Sequence, residues 1–221
     1  MSPIEAEKLD QRVRVLVVED HPIVRHGLKM LIQNQPDLAV VGGAESIADG
    51  VEQAAQLRPQ VVVVDLTLPD GSGLDLIQKL HAEQPALPIL ALSMHDELSY
   101  GERALRAGAK GYVMKREAMD KLLTAIRSVL AGNMFLSEKL AAHLAEKVIS
   151  RPVGLLDNLS DREFEIFCLL AEGLGPTEIG RKLGRSTRTI EAHRGNIKDK
   201  LGLKSGTELT RFIAQWAMRH L

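Results

Sequence analysis

Four consecutive valines followed by an aspartate, VVVVD at 61–65, constrain the fold of this chain more than any other stretch. A continuous run of β-branched residues predicts a short strand that is buried on both faces, as in a parallel sheet. An ionised carboxylate is costly to bury alone, so Asp65 must lie where the strand emerges, beside groups that stabilise its charge. Pro69 and Gly71 follow it and predict a turn at that place.

Five short apolar runs alternate with segments of helical periodicity in the first part of the chain. The runs lie at 13–18, 38–41, 61–64, 89–92 and 111–114. This alternation predicts an α/β fold, a doubly wound parallel sheet of five strands. At this size we expect the flavodoxin-like strand order 2-1-3-4-5, in which ligands bind at the carboxyl ends of strands 1 and 3.

The periodicity after residue 154 is helical only. Ser160 and Glu163 form a predicted capping box, Pro176 fits the first turn of a second helix, and Ser186 caps a third helix that Gly202 ends. With a last helix near the C-terminus, four short helices and a tight turn predict an all-α helix-turn-helix domain. We therefore expect a sheet domain at 12–131, a connector at 132–154 that includes an amphipathic helix, and a helical domain at 155–221.

The composition excludes several classes of protein. Hydrophobic residues make up 45% of the chain and charged residues 26%, with a net charge of −1, as in ordinary globular proteins. The single cysteine, Cys168, permits no intrachain disulfide and no Cys-rich metal site, and it is expected in a core. No apolar run approaches the roughly 18 residues of a membrane span, and the N-terminus lacks the apolar part of a signal peptide. We expect a cytoplasmic protein without membrane contact.

Carboxylates follow two strands that are neighbours in the predicted order. Strand 1 ends in Glu19 and Asp20, and strand 3 ends in Asp65. Three close carboxylates repel one another, which raises a pKa or demands a cation. Mg²⁺ takes oxygen ligands and keeps several waters, so a few protein oxygens are enough. We predict a Mg²⁺ site made of Glu19, Asp20, Asp65 and the backbone carbonyl of Thr67.

This predicted cluster suits the transfer of a phosphoryl group to a carboxylate. Asp65, on the central strand, is the expected nucleophile. The metal and Lys115, which follows strand 5, would neutralise charge on the transferred oxygens, because positioning and electrostatics carry such reactions. Ser93, at the end of strand 4, can donate a hydrogen bond to a phosphoryl oxygen. His21, beside the acidic pair, is interpreted as structural or solvent-facing.

A basic stretch coincides with the third C-terminal helix. Residues 181–204 include eight basic and two acidic residues. On a helical wheel, Ile190, Ile197 and Leu201 face one side, with His193 at its edge as a packing residue. The opposite side can enter a major groove and its flanks can reach phosphates. The predicted DNA-contacting residues are Ser186, Thr187, Arg188, Thr189, Glu191, Ala192, Arg194, Gly195, Lys198 and Lys200.

Both halves of the chain resemble known families. The stretches VLVVEDHPIVRHGL, VVVVDLTLPDGSG, LALSMHD and GAKGYVMK resemble the motif regions of the receiver domain of two-component response regulators. The C-terminal stretch that begins LSDREFEIF is similar to the LuxR-type helix-turn-helix, and the pairing resembles the NarL/FixJ subfamily. The chain departs from the usual pattern in three places, with Glu19 before Asp20, Ser93 as the hydroxyl residue, and Gly-Pro-Thr at 175–177.

The resemblance implies a transcription regulator rather than an enzyme. A sensor histidine kinase would phosphorylate Asp65 with Mg²⁺ as cofactor, Lys115 would be the invariant-type lysine, and Ser93 and Tyr112 would be the switch residues. A homodimer would then bind inverted or direct half-sites in double-stranded DNA. The final helix, with Ile213, Trp216 and Ala217, could pair the DNA-binding domains.

Two alternatives stay open at the sequence level. A phosphatase of the haloacid-dehalogenase type would also use Asp65, but it would need a second aspartate where this chain has Thr67. A DNA-binding protein that is never phosphorylated could use the sheet domain for dimerisation alone, and the intact acidic cluster argues against it. The sequence leaves open the kinase, the stimulus, the operator, the dimerising face, and activation versus repression.

Overall fold

The computed structural model describes residues 12–150 and 155–220. The linker predicted at 151–154 and the polar residues 1–11 lie outside the described residues. The domain boundaries that we place at 131 and 155 stay predictions. In the described part of the chain, no helix combines the length and the apolar character that crossing a membrane requires.

Five parallel strands form the central sheet. They are β1 (Val13–Val18), β2 (Leu38–Ala44), β3 (Val61–Asp65), β4 (Ile89–Ser93) and β5 (Gly111–Met114). Their order is β2-β1-β3-β4-β5, which confirms the flavodoxin-like prediction. In the register of β1 and β3, Val18 is the partner of Val64. The residues that come next, Glu19 and Asp65, therefore lie side by side at the carboxyl edge of the sheet.

Helices cover both faces of this sheet. They are α1 (Pro22–Gln33), α2 (Ile47–Leu57), α3 (Gly73–Glu83), α4 (Glu97–Ala107) and α5 (Ala118–Leu130). The four valines of β3 alternate between two apolar clusters. Val61 and Val63 pack with residues of α1 and α5, and Val62 and Val64 pack with residues of α2, α3 and α4. The strand is therefore buried on both faces, as its sequence predicts.

The C-terminal part is helical. It contains α7 (Asp161–Ala171), α8 (Pro176–Lys182), α9 (Thr187–Lys200) and α10 (Gly206–His220), preceded by α6 (Glu138–Ser150) in the connector. The capping box is confirmed, because Glu163 N donates to Ser160 Oγ at 3.3 Å and Ser160 N donates to Glu163 Oε2 at 2.8 Å. Gly202 has a φ of +70°, a conformation that ends the helix at little cost only for glycine.

Several local features differ from the sequence-based expectation. Strand β2 continues to Ala44, beyond the predicted end at 41, because it follows β1 past a register shift between Val15 and Leu16. A two-residue hairpin, Thr67–Leu68 with Gly71–Ser72, occupies the predicted turn. Short 3-10 helices form at Lys115–Glu117 and Leu155–Asn158. The connector also adds to the sheet edge, since Tyr112 N donates to Phe135 O at 3.0 Å.

The two parts of the chain share one apolar cluster. Tyr100 and Ala104 of α4 belong to the same cluster as Phe164 and Cys168 of α7. Helix α7 therefore packs against the sheet domain as well as against its own helical neighbours.

Candidate functional site

The predicted acidic cluster forms at the carboxyl edge of the sheet. The side chains of Glu19 and Asp65 are almost completely buried, with exposed fractions of 0% and 1%. Lys115 lies between them, with its Nζ 2.7 Å from Glu19 Oε2 and 2.8 Å from Asp65 Oδ2. Lys115 directly follows β5, so residues that are far apart in sequence meet at this edge of the sheet.

The protonation of this site follows from burial and from the charges beside it. Burial, and to a smaller extent the negative charge of Glu19, raise the pKa of Asp65 to about 6 against the opposing effect of Lys115. Burial alone would lower the pKa of Lys115, but the carboxylates of Asp65 and Glu19 raise it overall. A single ammonium group therefore does not neutralise the cluster, and a further cation is electrostatically favoured.

The donor atoms suit a hard divalent cation. One potential ligand atom from each of Glu19, Asp20, His21 and Asp65 lies within 4.8 Å of the others. Three of these residues offer carboxylate oxygens, the ligands that Mg²⁺ prefers. Thr67, whose carbonyl we predict as a ligand, places its backbone N–H 3.2 Å from Asp65 Oδ1. The metal role of that carbonyl stays a prediction.

His21 lies closer to the cluster than the sequence interpretation implies. Its side chain is 65% exposed, yet its Nδ1 lies 2.7 Å from Asp20 Oδ1 and 3.3 Å from Glu19 Oε1. Its backbone N–H also donates to Glu19 Oε1 at 3.2 Å. His21 is thus both solvent-facing and in contact with the acidic pair.

The two predicted switch residues both hold His95, a residue that the sequence pattern does not single out. Ser93 is completely buried, and its Oγ accepts a hydrogen bond from His95 N at 3.1 Å. Tyr112 is also buried, and its hydroxyl donates to His95 O at 2.8 Å. Burial raises the pKa of Tyr112, so its hydroxyl keeps its proton. Only the position of His95 two residues after Ser93 could have indicated this link.

The apolar face of α9 packs as predicted. Ile190 and Ile197 are fully buried and Leu201 nearly so. His193 is half-buried at the edge of this face, and burial lowers its pKa. The orientation of the helix is therefore the one that the wheel predicts.

The opposite face of α9 is open to solvent. Arg188, Glu191 and Ala192 are exposed and Gly195 is half-exposed. Because Ala192 and Gly195 have small side chains, a groove can approach the helix closely. Their contact with DNA, and that of exposed Thr187, stays a prediction.

The other predicted DNA contacts have partners within the protein. Ser186 Oγ accepts from Thr189 N at 3.1 Å and lies 2.8 Å from Thr189 Oγ1, so both hydroxyls serve the helix cap. Among the charged residues, Arg194 pairs with Glu191, Lys198 with Asp199, and Lys200 with Glu163.

Lys200 has the ion pair that bears most directly on its predicted DNA contact, which stays a prediction. Its Nζ lies 2.6 Å from Glu163 Oε2, in the capping box of α7, whereas the sequence predicts a contact with a DNA phosphate. A phosphate contact would have to compete with this pair, because the nearly buried carboxylate of Glu163 would lose its cation.

We expect Lys200→Met to lower the free energy of unfolding by about 1 kcal/mol at pH 7, the usual value of one hydrogen bond. Burial opposes the shift, but Lys200 and Ser160 hold the pKa of Glu163 below its usual 4.5. The pair therefore stabilises above that pH, and the effect of the variant should fade as the pH falls below it.

Urea unfolding at pH 7 and near pH 3 measures this difference. Lys204→Met is the matched control, because Lys204 is an exposed lysine in the turn that follows α9. Equal effects of the two variants at pH 7 would contradict the structural role of Lys200.

Comparison with protein families identifies relatives of both parts of the chain. The family model of the response regulator receiver domain matches residues 15–127, and that of the bacterial regulatory proteins of the luxR family matches residues 157–213. The oxygen regulatory protein NreC of Staphylococcus aureus (strain MRSA252) is 36% identical over 208 residues, which cover 90% of this chain and 96% of NreC.

Solved structures of response regulators resemble this chain over different shares of its length. A LuxR-family two-component response regulator from Aurantimonas sp. SI85-9A1 is 34% identical with a TM-score of 0.58, covering 63% of this chain and 99% of that one. RcsB from Salmonella enterica serovar Typhimurium, bound to promoter rprA in the presence of phosphomimetic BeF3-, is 28% identical. Its TM-score is 0.61, and the match covers 92% of this chain and 98% of RcsB.

Proposed function

Because this chain belongs to the two-component response regulators that regulate transcription through a LuxR-type DNA-binding domain, we propose that phosphorylation of Asp65 controls its binding to DNA. The phosphoryl donor is a sensor histidine kinase. The observation that carries the proposal is the position of Asp65, buried at the sheet edge beside Glu19, with Lys115 Nζ 2.8 Å from its Oδ2.

The transfer is a displacement at phosphorus. The P–N bond of the kinase phosphohistidine breaks as a P–O bond to an Asp65 carboxylate oxygen forms, and the imidazole keeps the electron pair. Lys115, already in contact with Asp65 and Glu19, stabilises negative charge on the transferred oxygens. Bound Mg²⁺, held by Glu19, Asp20 and Asp65, would supply further positive charge at the same oxygens.

The protein accepts a phosphoryl group and does not turn over a substrate. The haloacid-dehalogenase alternative needs a carboxylic acid two residues after the nucleophile, and the hydroxyl of Thr67 is too weak an acid for that role. Sustained hydrolysis of a phosphate ester by the purified protein would support that alternative. The alternative in which the protein is never phosphorylated does not explain why a carboxylate that is costly to bury stands at this position.

The proposed output is a homodimer that binds two half-sites in double-stranded DNA, in the cytoplasm. One RcsB structure contains two dimers of that protein bound to two parallel DNAs, which supports dimeric binding here. The exposed face of α9, with Arg188 and Ala192, would enter the major groove.

Selection of binding sites from a randomised DNA library tests the proposal. The full chain is incubated with the library with and without a small phospho-donor and Mg²⁺. We expect one preferred sequence, bound more tightly when phosphorylated. An identical affinity in both conditions, with phosphate shown on Asp65 by mass, would reject phosphorylation as the control.

We expect Ser93→Ala to accept phosphate but to shift less toward the dimer, because the hydroxyl contacts the phosphoryl group without making the bond. A ligand moves an equilibrium only by its differential affinity for the two states. Sedimentation at matched phosphorylation, with wild type beside the variant, measures the shift. Indistinguishable dimer fractions would exclude Ser93 as a switch residue.

A further inference from the structure

His95, two residues after the end of β4, contacts both the predicted switch residues and the helical domain. The two switch hydroxyls, of Ser93 and Tyr112, hold the N–H and the carbonyl of His95 respectively, at 3.1 Å and 2.8 Å. The His95 side chain extends toward the helical domain, where it reaches Glu172. Both polar groups of its backbone are thereby hydrogen-bonded to the two predicted switch residues.

The His95 ring contacts both parts of the chain. It stacks on Tyr100 of α4, with ring centroids 4.4 Å apart. Its Nδ1 lies 3.5 Å from Oε1 of Glu172, the residue that follows the last turn of α7. This contact also holds the pKa of Glu172 below its usual value.

One face of α7 forms the remaining contacts between the helical domain and the sheet domain. Asp161, Phe164, Cys168 and Glu172 recur at helical spacing, so they share one face of the helix. All four contact or lie beside residues of the sheet domain, and the hydrogen bond from Arg103 to Asp161 measures 2.9 Å.

The aromatic contacts fill the middle of this face. The Phe164 and Tyr100 rings make an edge-on contact with their centroids 5.0 Å apart, and Arg103 Cζ lies 4.1 Å from the centre of the Phe164 ring. Arg103 also donates to the carbonyls of Leu156 and Leu159, at 2.6 Å and 3.0 Å. The docked arrangement is therefore a specific contact with a packed centre, and His95 with Glu172 forms one end of it.

We infer that His95 is the positioning residue that couples phosphorylation of Asp65 to the release of α7 from the sheet domain. The inference rests on the proposed function. A Ser93 hydroxyl drawn toward a phosphoryl oxygen moves away from His95 N, and the Tyr112 bond to the same residue weakens with it. His95 then loses its fixed place against Glu172 and Tyr100, and the end of the α7 interface opens.

Cys168 provides the readout, because it is the single cysteine of the chain and lies inside this interface. Burial raises the pKa of its thiol to about 12, whereas a free cysteine has a pKa of about 8.5. The docked thiol is thus almost entirely protonated at pH 8 and alkylates slowly. Separation of α7 from Tyr100 exposes the thiol and speeds its alkylation.

The experiment measures the alkylation rate of Cys168 in the unphosphorylated full chain. We expect Glu172→Gln and His95→Ala each to raise the rate about three- to tenfold, the factor that one lost hydrogen bond of this kind gives. The double variant should be no faster than His95→Ala alone, because that variant already removes the contact with Glu172. Asp37→Asn, which breaks the exposed Asp37–Arg127 pair far from α7, is the matched control and should leave the rate unchanged.

A charge-swapped chain separates this role from general destabilisation. His95→Glu combined with Glu172→Lys places opposite charges at the two positions and should return the rate toward wild type, while either change alone should not. Unchanged alkylation in Glu172→Gln and His95→Ala, or fast alkylation of the wild type, would overturn the inference. Failure of the chain to take up phosphate on Asp65 would instead refute the proposed function, since the unphosphorylated rates do not depend on it.

Discussion

Asp65→Asn is expected to abolish phosphorylation while leaving the fold intact. Incubated with a small phospho-donor and Mg²⁺, the wild type should gain one acid-stable, base-labile acyl phosphate, and the variant should gain none, because an amide lacks the nucleophilic carboxylate oxygen. Burial already raises the pKa of Asp65 to about 6, so a neutral side chain of the same shape is well tolerated there. Lys115 also keeps its contact with Glu19.

Intact-mass measurement with Asp70→Asn as the matched control decides this prediction. Asp70 lies on the same loop, and its carboxylate accepts hydrogen bonds from Ile47 N and Ala48 N at 2.8 Å and 3.1 Å. Asparagine caps a helix start about as well as aspartate, so the control should fold and label normally. A phosphate that persists in Asp65→Asn and disappears in Asp70→Asn would place the site at Asp70.

Ala192→Glu is expected to abolish sequence-specific DNA binding. The new carboxylate would stand on the exposed face of α9, where its charge opposes the phosphates and its bulk prevents close approach to base edges. Loss of good base contacts costs about 1–3 kcal/mol each, so a helix displaced from the groove should lose affinity by roughly 100-fold or more. Fluorescence anisotropy with a selected operator, at fixed salt, measures the loss.

Ala142→Glu is the matched control for the charge change. Ala142 is an exposed alanine on α6, outside the helix-turn-helix, and the same substitution there should leave operator affinity unchanged. Glu191→Ala complements the pair, since it should relax the preference at one base-pair position per half-site. Full operator affinity in Ala192→Glu would mean that another face of the domain contacts DNA.

Local sequence patterns determined most of the architecture because they depend on short-range physics. The four valines at 61–64 can be buried on both faces only in an inner strand, and parallel strands align their carboxyl ends. Together with the expected flavodoxin-like strand order, these two facts predict that Glu19 and Asp65 meet beside Lys115, as they do. The helix ends at Ser160 and Gly202 could be predicted for the same reason. Ser160 accepts a hydrogen bond from a free backbone N–H of the first turn, and Gly202 adopts the positive φ that ends a helix.

Only the tertiary structure decided which ion pairs form between charged side chains that the sequence pattern places on exposed faces. Lys200 appears on a helical wheel as a free cation, but the crossing of α9 and α7 places Glu163 within 2.6 Å of its Nζ. His95 carries no local pattern, and it gains its place only because β5 brings the Tyr112 hydroxyl to its carbonyl and α7 brings Glu172 to its ring. Periodicity reports which side of an element is buried. It contains no information on the distance between two elements that are far apart in the chain, and that distance determines which charges pair.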